Sequence, residues 1–200
     1  MSGAASWWLD VPHRDELWCF NNNLFSPDEC KRIIEIGNDP ELVNLGPGIV
    51  GGNDHSKVDE NIRKSTIGWF PVRDETIWIF QRLTDAITSI NKGFYQYDLT
   101  HIENLQFTVY KQNSNFYGKH IDAMYETNAS RKLSLSVQLT DPTEYEGGEF
   151  HLFSGNDPMV LPKTQGTCLF FPSWSLHEVT PVTKGTRFAL VTWVCGPRFR

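Results

Sequence analysis

Two stretches of alternating residues constrain most strongly what this chain can fold into. Leu105, Phe107 and Val109 alternate with Gln106, Thr108 and Tyr110, and Leu133, Leu135, Val137 and Leu139 alternate with Ser134, Ser136 and Gln138. Successive side chains on a strand point to opposite faces, so each stretch has one apolar and one polar face. Shorter strand-like segments follow at Glu149 to Phe153, Thr167 to Phe171, Val179 to Thr183 and Arg187 to Val194, the last two separated by a turn at Lys184-Gly185. Many short strands with Gly and Pro turns indicate a sandwich or an open barrel.

The front of the chain reads differently. Ser26-Pro27-Asp28-Glu29 is a capping box with proline at the first helical position, and Phe25 and Cys30 are placed to form a hydrophobic staple. Gly37 is expected to end this helix. A second helix is expected from about Asp74 to Asn91, with Ile77, Phe80, Leu83, Ile87 and Ile90 on one face. Between the helices lies a polar, glycine-led stretch without periodicity, Gly51 to Asn61. The expected organisation is one domain over residues 1–200, with helical support over about 1–95 and a β core over about 96–196.

Composition excludes several classes. Apolar residues make up 40% and charged residues 21%, as in ordinary globular proteins. The formal charge is −6 with no basic run, which argues against a nucleic-acid partner. Four cysteines without Cys-x-x-Cys spacing read as buried, reduced thiols. Met1 to Trp8 lacks the pattern of a secretory signal, and no run is apolar enough to span a membrane. A soluble, intracellular protein with no membrane partner is the expectation.

The chemistry resides in His120-Ile121-Asp122, a later His177, and Arg187 ten residues beyond it. His-x-Asp in an extended chain puts an imidazole and a carboxylate on one side. His177 meets them only if the chain folds back. Two imidazoles and a carboxylate form the facial triad that holds Fe(II) and leaves coordination positions open. Arg187 supplies a fixed cation nearby, and Ala189, Val191 and Trp193 share its strand face, which favours an inward guanidinium. Together they imply an iron oxygenase using a dicarboxylate co-substrate. Glu149 receives no catalytic role, His151 reads as structural, and His13, His55 and His101 read as surface residues.

In these and neighbouring residues the chain resembles the 2-oxoglutarate- and Fe(II)-dependent dioxygenases, within them the prolyl 4-hydroxylase-like branch. The resemblance runs over about residues 20–196. It is carried by Ile62-Arg63-Lys64-Ser65, Trp69, Tyr110, Tyr117, His120, Asp122, Gly147-Gly148-Glu149, Phe171-Pro172-Ser173, His177-Glu178-Val179, Gly185, Arg187 and Trp193. It implies a mainly β fold, a double-stranded β-helix (jelly roll) flanked by N-terminal α-helices. It implies Fe(II) on His120, Asp122 and His177, with no catalytic side chain beyond the metal centre. Arg187, Tyr110, Gln138 and Ser134 are the candidates for binding 2-oxoglutarate, and O2 is the second co-substrate. Ascorbate is a further expected ligand. Tyr117, Trp193 and Arg63 are the candidates for substrate binding. Residues 51–61 would be a lid. The implied reaction is hydroxylation of proline in a peptide or protein, of the procollagen-proline 4-hydroxylase type, releasing succinate and CO2. A hydroxylase of a free amino acid or other small molecule is the alternative, ahead of a non-catalytic metal-containing binding module.

Overall fold

The structure, a computed structural model, describes residues 16–51, 57–123 and 130–198. The centre of the expected lid (52–56), His13, His55 and the segment read for a signal lie outside them. In chain order the elements are β1 (Cys19–Asn21), α1 (Pro27–Asn38), β2 (Gly46–Pro47), β3 (Arg63–Lys64), β4 (Thr66–Phe70) and α2 (Ile77–Ile90). There follow β5 (His101–Ile102), β6 (Leu105–Lys111), β7 (Asn115–His120), β8 (Ser130–Gln138) and β9 (Tyr145–Gly147). The chain ends with β10 (Phe150–Phe153), β11 (Pro158–Val160), β12 (Cys168–Pro172) and β13 (Leu176–Gly196).

Helix α1 starts as its sequence dictates. Ser26 Oγ accepts the Glu29 N–H at 3.2 Å, and the Glu29 carboxylate accepts the Ser26 N–H at 2.8 Å. The same carboxylate pairs with Arg82 of α2 at 3.0 Å, joining the two helices. Gly37 does not end the helix, which runs to Asn38 and is capped by Asp39. The glycine is there because Phe107 packs so close that a Cβ would sit 2.6 Å from its ring. Helix α2 begins at Ile77, later than its pattern implied, and Ile77 is left exposed. Its buried face is Ile79, Leu83, Ala86, Ile87 and Ile90. A π-turn over Asn91–Tyr95 then swings Tyr95 into the core, where its hydroxyl donates to the Phe170 carbonyl at 3.1 Å.

One antiparallel path orders the larger sheet as β1-β12-β8-β13-β6-β4-β2. Its apolar face, including Phe70, Leu105, Phe107, Leu133, Leu135, Val137 and Phe170, packs against both helices. Fully burying each such side chain contributes roughly 1.5–3 kcal/mol. The opposite face carries the polar residues of the alternation.

Strand β13 departs from the sequence reading. It is one strand of 21 residues, not two strands about a turn. Its first part pairs with β7, β9 and β10, and from Thr186 onward it pairs with β6 and β8. Register shifts between Val182 and Lys184, and Gly185 takes φ +70°. A Cβ there would meet the Glu144 carbonyl oxygen at 2.1 Å. The glycine therefore bends a continuous strand from one sheet into the other. A local turn signal does not distinguish this from a hairpin, because the difference lies in which distant strands take up each half. The two sheets joined in this way form a double-stranded β-helix flanked by α1 and α2. Among the described residues no helix is long and apolar enough to cross a membrane.

Candidate metal centre and its cavity

His120 ends β7 and stands directly opposite His177 in the β7–β13 pairing. Asp122 follows on the loop, held by its N–H donating to the Ser173 carbonyl at 2.9 Å. One Asp122 oxygen lies 3.6 Å from His120 Nε2, and the other lies 3.5 Å from His177 Nε2. Each imidazole is oriented from behind. His120 Nδ1 donates to the Gly118 carbonyl at 2.8 Å and His177 Nδ1 to the Ser175 carbonyl at 2.9 Å. A carbonyl only accepts, so each Nδ1 carries the proton and each Nε2 presents a lone pair.

Electrostatics lead to the same donor set. Burial pushes His177 down to about 4, outweighing the pull of Asp122. The ring is enclosed by Phe150, stacked at 5.3 Å, and Phe171, edge-on at 4.8 Å. Burial also acts to raise the Asp122 carboxyl, but His177 and His120 hold it well below the usual carboxylate range. A neutral His177 and an ionised Asp122 carboxylate therefore converge with His120 Nε2, the ligand atoms all within 4.8 Å of one another. Three acceptors without a shared proton are satisfied by a cation. Nitrogen and oxygen donors in this two-to-one ratio suit Fe(II).

The triad lines a cavity of about 390 Å³. Arg187 enters it from the second half of β13, 2% exposed. Its Nη2 donates to the Gln138 side-chain oxygen at 2.8 Å, and its guanidinium stands 5.3 Å over the Tyr110 ring. Among the described residues its buried Nε makes no well-formed hydrogen bond, and the Tyr145 phenol lies beside the guanidinium. A buried donor left unpaired is costly, so this atom marks where an acceptor on a ligand would fit. Trp193 Nε1, also buried, makes no well-formed hydrogen bond and lies toward Asp122, whose carboxyl it helps hold down.

The other expected residues divide. Tyr110, Tyr117, Trp193 and Arg63 line the cavity. Gln138 reaches it through Arg187. Ser134 is not among the lining residues; its hydroxyl pairs with that of Ser173 at 3.0 Å, beneath the Asp122 loop. Ser136, two residues on along the same face, is the serine in the wall. Tyr117 stacks on His120 at 3.5 Å, and the Arg63 guanidinium lies 4.5 Å over Tyr117. His151 sits between Glu178 at 3.1 Å and Glu149 at 3.3 Å, outside the cavity.

Sequence reasoning missed further polar residues of the wall besides Ser136. Gln106 and Thr108 were legible, since they share the alternation of Tyr110. Arg131 was not, because no periodicity marks it. It grips Glu103 through two contacts of 2.6 Å and covers Trp193 at 3.9 Å.

The fold is a jelly roll, and this donor set is one that could hold a single metal ion. Residues 105–195 match the family model of the 2OG-Fe(II) oxygenase superfamily. A PKHD-type hydroxylase of Prochlorococcus marinus is 39% identical over 80 residues, 40% of this chain and 36% of that protein. One of Alteromonas mediterranea is 41% identical over 87 residues, 40% of this chain and 38% of that protein. The matched stretch thus spans little more than a third of these curated relatives. Among solved structures, a Pseudomonas putida prolyl-4-hydroxylase superposes with a TM-score of 0.70 at 20% identity, covering 91% of this chain and 94% of that one. A Trichoplax adhaerens prolyl hydroxylase, in complex with a hypoxia inducible factor oxygen degradation domain peptide fragment, gives 0.72 at 18% identity, covering 89% and 83%. Over residues 105–195 the chain is thus similar to the 2OG-Fe(II) oxygenase superfamily, and it shares the fold of these prolyl hydroxylase structures.

Proposed function

We propose that the protein is a 2-oxoglutarate- and Fe(II)-dependent dioxygenase that hydroxylates prolyl residues in a peptide or protein. The observation that carries the oxygenase part is the pairing, in one cavity, of the Asp122 carboxylate facing two imidazole lone pairs with the buried Nε of Arg187. His120, Asp122 and His177 would hold the iron, and Arg187 would pair with the far carboxylate of 2-oxoglutarate. When bound, the metal and co-substrate supply the oxidising power: 2-oxoglutarate and O2 give succinate and CO2 while a substrate C–H becomes C–OH.

The chain's own residues position and protect. The backbone carbonyls of Gly118 and Ser175 fix the two rings, and Gln138 fixes the Arg187 plane. Phe150 and Phe171 keep water from His177. Burial pushes the Tyr117 phenol up to about 12, so it remains a neutral donor at the wall.

Support for proline comes from the relatives, whose names denote hydroxylases and prolyl hydroxylases, one with a peptide bound. The proline ring is compact and conformationally fixed, and it suits a small cavity walled by Tyr117 and Trp193. The test is succinate formation with iron present, offering proline-rich peptides (procollagen-type repeats among them), free proline and methylated oligonucleotide in parallel. Hydroxyproline in a peptide, and little from free proline, is expected. Product from free proline or oligonucleotide alone overturns the substrate while leaving the oxygenase.

A further inference from the structure

Among the described residues, two guanidiniums of the cavity have no carboxylate partner. Its lining contains one carboxylate, Asp122, and three arginines. Arg131 is neutralised by Glu103. Arg187 and Arg63 are not: among the described residues neither has a carboxylate within ion-pair distance. Arg63 is 6% exposed, and its three hydrogen bonds go to neutral acceptors. These are Ser65 Oγ at 2.8 Å, the Ile49 carbonyl at 3.3 Å and Gln106 Oε1 at 2.9 Å. Among the described residues these occupy three of its five N–H groups. A buried cation without a counter-charge is costly. Asp122 does not relieve it if its charge is committed to a metal.

The two guanidiniums serve different ends of the cavity. Gln106 accepts from Arg63, and Tyr110 faces Arg187, both on β6. Four residues of strand separate them, roughly 13 Å. Arg63 also stands close to the reacting centre, separated from the His120 ring by Tyr117 alone.

We infer that Arg63 is a second anion site, which binds a carboxylate of the substrate next to the carbon that is hydroxylated. The inference rests on the oxygenase reading of the site. The carboxylate comes from an acidic residue beside the target in a polypeptide or from the free carboxyl of a smaller substrate. In either case substrate and co-substrate are both anions, each with its own arginine.

The experiment measures binding without turnover, on anaerobic protein loaded with Fe(II) and 2-oxoglutarate. Isosteric ligand pairs are titrated into wild type, Arg63→Gln and Arg63→Lys. The peptide pairs are capped, proline-centred hexapeptides with Asp or Asn on either side. The small pairs are N-acetylproline and N-acetylalanine, each against its carboxamide. The wild type is expected to prefer the carboxylate in at least one pair by about fivefold or more. Arg63→Gln should abolish that preference, Arg63→Lys should retain part of it, and 2-oxoglutarate affinity should stay unchanged in both. A preference below about fivefold in every pair, or one that survives in Arg63→Gln, overturns the inference. Where Arg63→Gln does not fold, the wild-type ratios decide in the same way, supported by loss of the preference at about 0.5 M salt. Preference confined to the small pairs upholds the anion site and counts against a polypeptide substrate. Proline and alanine ligands binding alike counts against proline alone.

Discussion

The sheet that carries Arg187 and the sheet that carries the two histidines share β13 but are supported differently. Behind the first lie both helices and a broad core in which Phe107, Leu133 and Phe170 have no exposure. The second encloses a smaller cluster of Phe150, Leu152, Leu161, Phe171, Val179 and Val182 with Tyr110 and Leu169, to which neither helix contributes. Its outer side leaves Val160 and Leu176 exposed. Arg187, the proposed co-substrate anchor, is therefore carried on the sheet that the larger core backs. The proposed metal ligands are instead placed by short-range devices: a cross-strand histidine pair, two carbonyls behind the rings, and one backbone bond to the Asp122 loop. Stability and metal affinity should then be separable by mutation.

The sharpest way to break that separation is at the triad. Asp122→Ala and His177→Ala should each abolish Fe(II)-dependent succinate formation, while thermal melts of the metal-free proteins stay within about 4 °C of wild type. Normal turnover on folded protein would refute the metal assignment, and a large fall in melting temperature would show that the ligands also hold the small sheet together.

The converse probe is the core. Phe107→Ala should cost about 3–5 kcal/mol in urea unfolding, because it empties the space between Gly37 of α1 and the sheet. Leu152→Ala, in the smaller cluster, should fall near the lower end of the 2–5 kcal/mol expected for such truncations. Equal losses would mean that the two sheets form one cooperative core.

Arg187→Ala tests the anchor itself. It should weaken 2-oxoglutarate binding by about 2–5 kcal/mol in an anaerobic titration. An unchanged affinity would assign the co-substrate carboxylate to another cation, with Arg63 the first to examine.

The smallest effect expected is with pH. Burial pushes the Cys30 thiol, in the large core, up to about 12. A folded value above the unfolded one makes its contribution complete below about pH 9 and lost as pH rises toward 12. From pH 9 to pH 10 the loss from this group is about 1 kcal/mol. Urea midpoints across that interval check it, and a flat profile would mean the thiol has access to water.

Much of this protein was legible in its sequence because the signals are local or periodic. The capping box of Ser26 and Glu29 satisfies neighbouring backbone groups, so it forms where it is written. The alternation of Leu105 to Tyr110 sends apolar side chains one way and polar ones the other whatever the strand pairs with. His-x-Asp sets two donors on one side of an extended chain. The donor types, two nitrogens and a carboxylate, follow from residue identity alone.

Tertiary structure decided what depends on distant partners. Gly37 looked like a helix stop, but it is a point of close approach made by Phe107 seventy residues later. Gly185 looked like a turn, but it is a bend, because different sheets take the two halves of β13. Ser134 and Ser136 have the same alternation, and only the position of Ser173 above one of them determines which serine reaches the cavity. The pairing of Arg131 with Glu103, and the neutral acceptors that meet Arg63 among the described residues, depend on which side chains the folded chain brings together. A sequence lists charges, but only packing determines which are neutralised and which remain for a ligand.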